Sequence, residues 1–279
     1  MHSITLHQVI ENVKDLPSLP AVVMELLNEI DNDNIDIHLL AQKVTNDLAL
    51  TATTLRYANS AYYSTMIKVT TVQQAIALMG LATVRKIITM AALSGCFPDN
   101  NCKGFDHKAF WRHSNAVAIA ARLIAKRLNF NTDVAFTAGL LHDLGALVLV
   151  TQYPHQYEAS IAYRHEHQLS QFEAERQVLG VDHAAVGAAL AEQWNFSDVM
   201  KNAIAGHHHP DTPGLGFLAT IIHVADGIAH ALRLTTTADT QTVEVSGESW
   251  DSLALNQDAI QTLMEDTAAE MAEIEKHDL

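Results

Sequence analysis

Apolar residues recur at helical spacing along most of the chain, and this pattern constrains the fold more than any other feature. After Pro20, for example, Val22, Leu26 and Ile30 lie on one face of a helix. Residues that favour helix N-termini precede several such segments. They are Asp36, Thr71, Asp106, Ser170, Asp182 and Ser197. The sequence therefore predicts an all-α, multi-helical fold.

The last third of the chain contains two more predicted helices and the best strand signal. The apolar pattern predicts a helix over Gly214–Leu234 and an acidic amphipathic helix over Asn256–Lys276. The threonine-rich stretch Thr235–Thr242 is typical of a loop, and the alternating residues Thr242–Val245 form the strand candidate. A strand of this length would leave the helical character of the fold unchanged.

The length and a change in composition indicate how the chain is divided. A chain of 279 residues is long enough for one large core or two small domains. Proline, asparagine and glycine cluster between Pro98 and Gly104, which predicts a boundary between two helical parts. We expect an N-terminal helical lobe over residues 1–100 and a second lobe over residues 101–235. Residues 236–279 would form a loop and a C-terminal helix packed on the same unit.

The bulk properties favour a cytoplasmic protein. The N-terminus lacks the basic and apolar segments of a signal peptide, and no uninterrupted apolar run approaches the ~20 residues of a membrane helix. Cys96 and Cys102 do not make a disulfide framework, so a reducing compartment is the simplest expectation. A net charge of −15 argues against broad affinity for nucleic acid or anionic membranes.

Sixteen histidines are present, and histidine suits both metal binding and proton transfer near neutral pH. His113 shares a helix face with the apolar residues Val117, Ala120 and Ile124. Asp226 also lies on an apolar face. Because an unpaired buried carboxylate costs on the order of several kcal/mol, it needs a cation or strong hydrogen-bond donors. Neutral histidines together with carboxylates are suitable ligands for a divalent transition metal.

Simpler interpretations exist for each residue taken alone. A single histidine is more often a core or surface residue than a metal ligand, and Arg112 or Arg122 could neutralise Asp143. The run His207–His209 could be a polar helix end. The occurrence of several such residues on separate predicted helices favours a metal site. Its predicted members are His113, His142, Asp143, His183, His207, His208 and Asp226.

The order histidine, His-Asp and aspartate resembles the HD phosphohydrolase superfamily, and the local sequences are closest to its HDOD branch, the HD-related output domains. The segments that carry the resemblance are Leu16–Pro20, Ala58–Tyr63, Gln74–Gly80, Gly139–Gly145, Gly180–His183, Val186–Ala188 and His208–Pro210. The resemblance implies an N-terminal helical lobe packed on an HD-like lobe. It also implies a role in bacterial signalling or regulation.

The resemblance further implies a site for one or two metal ions. The implied ligands of a first ion are His113, His142, Asp143 and Asp226. Those of a second ion are Asp143, which would bridge, with His183, His207 and His208, as in the cyclic-dinucleotide phosphodiesterase branch. His208–His209 is an alternative histidine pair, shifted by one position. Iron, manganese or zinc would suit such ligands.

Two departures from the phosphodiesterase branch count against an enzyme. That branch has a lysine after the glycine that follows its His-Asp pair, whereas Ala146 follows Gly145 here. Its Gly-Tyr-Pro signature is also absent, and Pro210–Gly214 stands in its place. We therefore expect a regulatory protein of bacterial signal transduction that binds metal and a phosphorylated ligand without rapid turnover.

Two other functions remain open on the sequence. One is an active metal-dependent phosphohydrolase that acts on a nucleotide or a phosphodiester, and the other is a metal-free helical scaffold. The expected partners are proteins of a signalling pathway and a small phosphorylated ligand, with neither nucleic acid nor membrane. Apolar helices on a chain of this size are also compatible with a homodimer.

Overall fold

A computed structural model describes residues 4–13, 19–28, 36–60, 63, 68–97, 99, 102–234, 245 and 247–276. Within these ranges the regular structure is helical, which confirms the predicted all-α fold. The helices are α1 Leu6–Val13, α2 Ala21–Asn28, α3 Ile37–Thr45, α4 Leu48–Ala58, α5 Val72–Met79, α6 Leu81–Cys96, α7 His107–Arg127, α8 Thr132–Leu141, α9 Leu144–Gln152, α10 Pro154–His167, α11 Gln171–Val178, α12 His183–Gln193, α13 Asp198–Gly206, α14 Phe217–Ala231, α15 Gly247–Ser252 and α16 Gln257–Lys276. Of the strand candidate Thr242–Val245, only Val245 lies within the described residues.

Side-chain caps begin the helices where the sequence predicts them. The predicted caps accept hydrogen bonds from backbone N–H groups of the first helical turn, which the helix itself cannot satisfy. They are Asp36, Thr71, Asp106, Ser170, Asp182 and Ser197. Ser170 and Glu173 form a complete capping box.

The predicted helix over Gly214–Leu234 is shorter than expected, because α14 begins only at Phe217. Gly214 and Gly216 adopt φ angles of +92° and +81°, which belong to the left-handed side of the backbone map. These two glycines make the turn that leads from α13 into α14. The apolar pattern therefore begins before the helix does, because its first residues belong to this turn.

The chain divides into two compact units, Met1–Leu16 with Asp99–Met271, and Pro17–Pro98 with Ala272–Leu279. In the smaller unit, α4 packs against α5 and α6, and α3 packs against α5. In the larger unit, the backbone N–H of Ile4 donates to the carbonyl of Leu179 at 2.6 Å. The division into residues 1–100, 101–235 and 236–279 stays a prediction.

The larger unit is built on close helix contacts that depend on glycine. Helix α7 packs against α8 and α14, and α9 packs against α12. A Cβ atom on Gly139 would lie 2.8 Å from the Cα of Ala118 in α7, and one on Gly145 would lie 2.0 Å from the carbonyl oxygen of His183. Backbones can approach this closely only where the side chain is a hydrogen atom. These contacts bring the residues around His142 against both α7 and α12.

Helices α8 and α9 together form one apolar stretch, Thr132–Gln152, of 21 residues. By length and composition this stretch could cross a membrane, and 89 % of its most apolar window is buried inside the protein. Such burial is typical of a core helix in a globular unit, where other helices cover the apolar side chains. The described part of the chain contains one stretch of this kind.

Candidate metal centre

The structure brings all seven predicted site residues into one cluster in the larger unit. They are supplied by α7 (His113), the α8–α9 turn (His142, Asp143), α12 (His183), the residues after α13 (His207, His208) and α14 (Asp226). Their ligand atoms form overlapping groups, and within each group the atoms lie within 4.8 Å of one another. The helices thus converge on a single centre that is rich in nitrogen and carboxylate donors.

Three imidazoles meet on one side of Asp143. Its Oδ1 atom lies 3.3 Å from Nε2 of His183 and 3.3 Å from Nε2 of His207. The Nε2 atoms of His183 and His208 are 2.7 Å apart. This group therefore pairs His207 with His208, and His183 completes it.

The second carboxylate oxygen of Asp143 faces the other half of the cluster. Its Oδ2 atom lies 3.2 Å from Nε2 of His142 and 3.7 Å from Nε2 of His113. The same nitrogen of His113 lies 3.2 Å from Oδ1 of Asp226. Asp143 thus presents one oxygen to each group, which is the arrangement that a bridging carboxylate requires.

Backbone carbonyls orient two of the imidazoles. Nδ1 of His142 lies 2.7 Å from the carbonyl oxygen of Gly139, and Nδ1 of His207 lies 2.8 Å from that of Ile204. Since a carbonyl oxygen only accepts hydrogen bonds, both Nδ1 atoms carry the proton. The neutral rings then turn the lone pair of Nε2 toward the centre of the cluster, as metal-bound histidines do.

A buried glutamate orients the third imidazole. Glu175 on α11 is fully buried, and its Oε2 atom accepts hydrogen bonds at 2.7 Å from both the backbone N–H and Nδ1 of His183. Its other oxygen accepts a longer hydrogen bond, 3.4 Å, from Gln171. The arrangement is a carboxylate–histidine pair whose other ring nitrogen, Nε2, lies 3.3 Å from Oδ1 of Asp143.

Replacing Glu175 with glutamine is expected to weaken metal binding by about 10- to 100-fold, because the amide cannot hold His183 in its basic, correctly oriented form. The measurement is a competition titration of the stripped protein against a metal chelator. Glu173→Gln on the same helix is the control, since Glu173 is exposed and its side chain caps the start of the helix. Equal affinities for wild type and Glu175→Gln would contradict this role.

Several polar atoms in the cluster have no hydrogen-bond partner among the described residues. They are Nδ1 of His113, Nε2 of His142, Oδ1 of Asp226 and Nδ1 of His230. Buried polar atoms of this kind cost free energy unless something satisfies them. A divalent cation between the imidazole Nε2 atoms and the carboxylate oxygens, which face one another at 3.2–3.7 Å, would satisfy Nε2 of His142 and Oδ1 of Asp226. The residues present therefore fit a metal ion.

The pKa values of Asp143, His183 and His208 are all shifted by burial and by the neighbouring charges of the cluster. Although burial raises the pKa of Asp143, the neighbouring charges of His142 and His183 hold it well below its usual value. Burial lowers the pKa of His183, but Glu175 and Asp143 outweigh it and bring this pKa well above its usual value. Burial and the neighbouring imidazoles bring the pKa of His208 well below its usual value. In the metal-free protein, protons on imidazole thus offset part of the negative charge.

Among the described ion pairs, Arg122 is not a partner of Asp143, although the sequence left this pairing open. Its Nη2 atom pairs with the carboxylate of Glu270 on α16, at 2.5–2.7 Å. The ion-pair partners of Asp143 among the described residues are instead histidines.

Two residues of the cluster were not predicted from the sequence. No sequence pattern places Glu175 beside His183, because α11 and α12 are separate helices and their contact depends on the turn between them. The position of His230 could have been predicted, because it follows Asp226 by four residues and therefore lies on the same helix face. Its Nε2 atom lies 3.4 Å from Oδ1 of Asp226.

The family profile of the HDOD domain matches residues 16–210. The chain belongs to the HDOD family. An HDOD domain protein of unknown function from Geobacter sulfurreducens has the same fold, with a TM-score of 0.79, 23 % identity and coverage of 96 % of both chains. The HDOD assignment from sequence motifs is thus confirmed.

Two further relatives extend the comparison of this HDOD chain. The structure of a candidate phosphohydrolase from Shewanella amazonensis SB2B matches with a TM-score of 0.68 and 28 % identity, over 95 % of this chain and 93 % of that one. Ribonuclease Y of Lactobacillus helveticus is 32 % identical over 119 residues, which are 43 % of this chain. The chain spans 17 % of that ribonuclease and 40 % of the first curated relative that it matches.

Proposed function

We propose that this chain is a cytoplasmic regulatory HDOD protein of bacterial signal transduction that binds two divalent transition metal ions. The His/Asp cluster of the larger unit would hold the ions, and a small phosphorylated ligand would bind beside them. Fold relatives that include a candidate signal transduction protein support the regulatory part of the proposal. Partners would be other proteins of the same pathway.

The position of Asp143 carries the metal part of the proposal. One carboxylate oxygen faces His183 and His207, and the other faces His142 and His113. A carboxylate shared in this way supports two ions close together rather than one. The donor set of imidazole and carboxylate suits iron, manganese or zinc.

The chemistry of such a centre favours phosphate as the ligand. When bound, two divalent ions would attract phosphate oxygens and stabilise their negative charge. The chain's own residues would hold the imidazole nitrogens and the Asp143 carboxylate in place. Ala146 is buried and apolar where the phosphodiesterase branch has a lysine, so this position supplies no cation for a phosphate. A complete set of metal ligands without this lysine favours binding of a phosphorylated ligand without rapid turnover.

Metal analysis of the purified chain tests the proposal. Protein made without added metal and without a nickel column is analysed by mass spectrometry and then titrated with iron, manganese or zinc. We expect close to two ions per chain after titration. A wild type that takes up none of these metals would overturn the proposal and favour a metal-free scaffold.

The affinity for metal is expected to rise with pH. Interactions with Asp143 raise the pKa of His142, and those with Glu175 and Asp143 raise the pKa of His183, although burial lowers both. Each ring must lose its ligand-side proton before it binds metal, so affinity falls as the pH drops through these raised values. Calorimetry in buffers of different ionisation enthalpy, from about pH 6 to 9, should show proton release on binding. Affinity that is independent of pH would contradict the raised pKa values.

The second candidate function is hydrolysis of a phosphoester bond. The position of Asp143 between two groups of histidines and the match to a candidate phosphohydrolase favour it, and part of the chain also matches ribonuclease Y. A net charge of −15 disfavours RNA as the ligand. Metal-loaded protein is assayed with nucleotides, cyclic dinucleotides and RNA, beside His142→Ala. Turnover that is lost in the variant would replace the regulatory proposal with an enzyme.

A further inference from the structure

His230 lies at the edge of the cluster, on the same face of α14 as Asp226. Its side chain is 11 % exposed, and its Nε2 atom is 3.4 Å from Oδ1 of Asp226. The ring centroids of His230 and His113 are 5.3 Å apart. Nε2 of His113 lies 3.2 Å from the same oxygen of Asp226. Two imidazole nitrogens therefore converge on one carboxylate oxygen.

This convergence is difficult to explain by hydrogen bonding. Oδ1 of Asp226 has no hydrogen-bond partner among the described residues, although both nitrogens are near it. Nδ1 of His230 and Nδ1 of His113 are also without partners in that part of the chain. By contrast, Nδ1 of His142 has a carbonyl partner. A buried carboxylate oxygen without a hydrogen bond is destabilising unless another group, such as a cation, binds it.

The ligand atoms of His113, Asp226 and His230 lie within 4.8 Å of one another. His113 also belongs to the group with His142 and Asp143. An ion held beside His113 is therefore within reach of donors on two sides, the α8–α9 turn and α14. The α14 side offers one imidazole more than the predicted ligand set contains.

We propose that His230 is a direct ligand of the first metal ion, in addition to His113, His142, Asp143 and Asp226. The inference rests on the proposed function, because it assumes that the cluster binds metal. With His230, three imidazoles would be available to each ion, and one coordination position fewer would be left on the first ion for water or a phosphate oxygen. A metal with fewer open positions is a poorer catalyst and a better structural or sensing centre.

Cobalt(II) reports the number of ligands directly, because its visible absorption depends on coordination number and geometry. The full-length chain is stripped of metal and titrated with Co²⁺, beside His230→Ala and His230→Gln. His155→Ala is the control, since the side chain of His155 is 92 % exposed on α10. Far-ultraviolet circular dichroism establishes that each variant is folded, and His230→Gln keeps most of the side-chain volume if the alanine variant does not fold.

We expect the affinity for one of the two Co²⁺ ions to fall at least about tenfold in both His230 variants, with a changed visible spectrum. Added imidazole should restore the wild-type spectrum in His230→Ala and leave wild type unchanged, because it fills a position that only the variant leaves open. If His230 served only in packing, added imidazole would not restore the spectrum of His230→Ala.

The outcomes separate this inference from the proposed function. If wild type and both variants bind two Co²⁺ ions with the same affinity and spectrum, His230 is not a ligand, while the metal centre itself stands. If wild type binds no Co²⁺ or other divalent metal, both proposals are wrong. A spectrum that changes in His155→Ala as much as in His230→Ala would also overturn the assignment of His230.

Discussion

Replacing Asp143 with alanine is expected to remove both metal ions from the protein, whereas replacing Asp226 removes only one. The two oxygens of Asp143 face opposite groups of imidazoles, at 3.2–3.7 Å. Loss of this carboxylate takes a ligand from each ion and leaves the histidine pairs to repel one another when protonated. Among the described residues, the ion-pair partners of Asp226 are His113 and His230. Its loss therefore affects the first ion alone.

Metal content per chain, measured by mass spectrometry after reconstitution and desalting, checks this difference. Asp211→Ala is the control, because Asp211 is exposed and close in sequence to the histidine pair. Asp143→Asn keeps the shape of the side chain and removes its charge, so it separates packing from ligation. Retention of one ion by Asp143→Ala would show that this carboxylate serves a single site.

Replacing Gly145 with alanine is expected to destabilise the larger unit by about 3 kcal/mol or more. The added Cβ atom would lie 2.0 Å from the carbonyl oxygen of His183 and 2.5 Å from the backbone nitrogen of Gly187. Both are backbone atoms, so a side-chain rotation cannot relieve the overlap. Helices α9 and α12 would have to separate, which would also move Asp143 away from His183.

Gly95→Ala provides the matched comparison. Gly95 also lies inside a helix, α6, and no atom would come within 4 Å of its added Cβ. Because alanine favours the helix over glycine, this variant should be more stable by about 0.5–1 kcal/mol. Urea unfolding of the metal-free proteins measures both changes. A Gly145→Ala variant as stable as wild type would mean that α9 and α12 do not pack as closely as the structure shows.

The two glycines also clarify how the family motif works. In Gly139–Gly145 the glycines are not ligands, yet each allows a backbone contact with another helix. Gly139 lies against α7, which carries His113, and Gly145 lies against the first turn of α12, which begins with His183. The motif thus positions the His142–Asp143 pair between the helices that carry the other donors.

Much of the fold could be predicted from the sequence, because helices are local structures. Periodic apolar residues and capping side chains such as Asp106 and Ser170 act within a few residues of where they stand. The same periodicity placed His113 and Asp226 on buried faces, and both are buried. The helix predicted over Gly214–Leu234 was too long at its start, because apolar spacing does not show where the backbone adopts a positive φ angle.

Only the tertiary structure decided how the donors are grouped. Whether Asp143 faces one group of histidines or two depends on contacts between helices far apart in sequence. Glu175 entered the cluster for the same reason, through the packing of α11 beside α12, and His230 through its distance to His113 on α7. A sequence specifies helix faces by local periodicity, but ligand geometry depends on how those faces pack, and packing is a property of the whole unit.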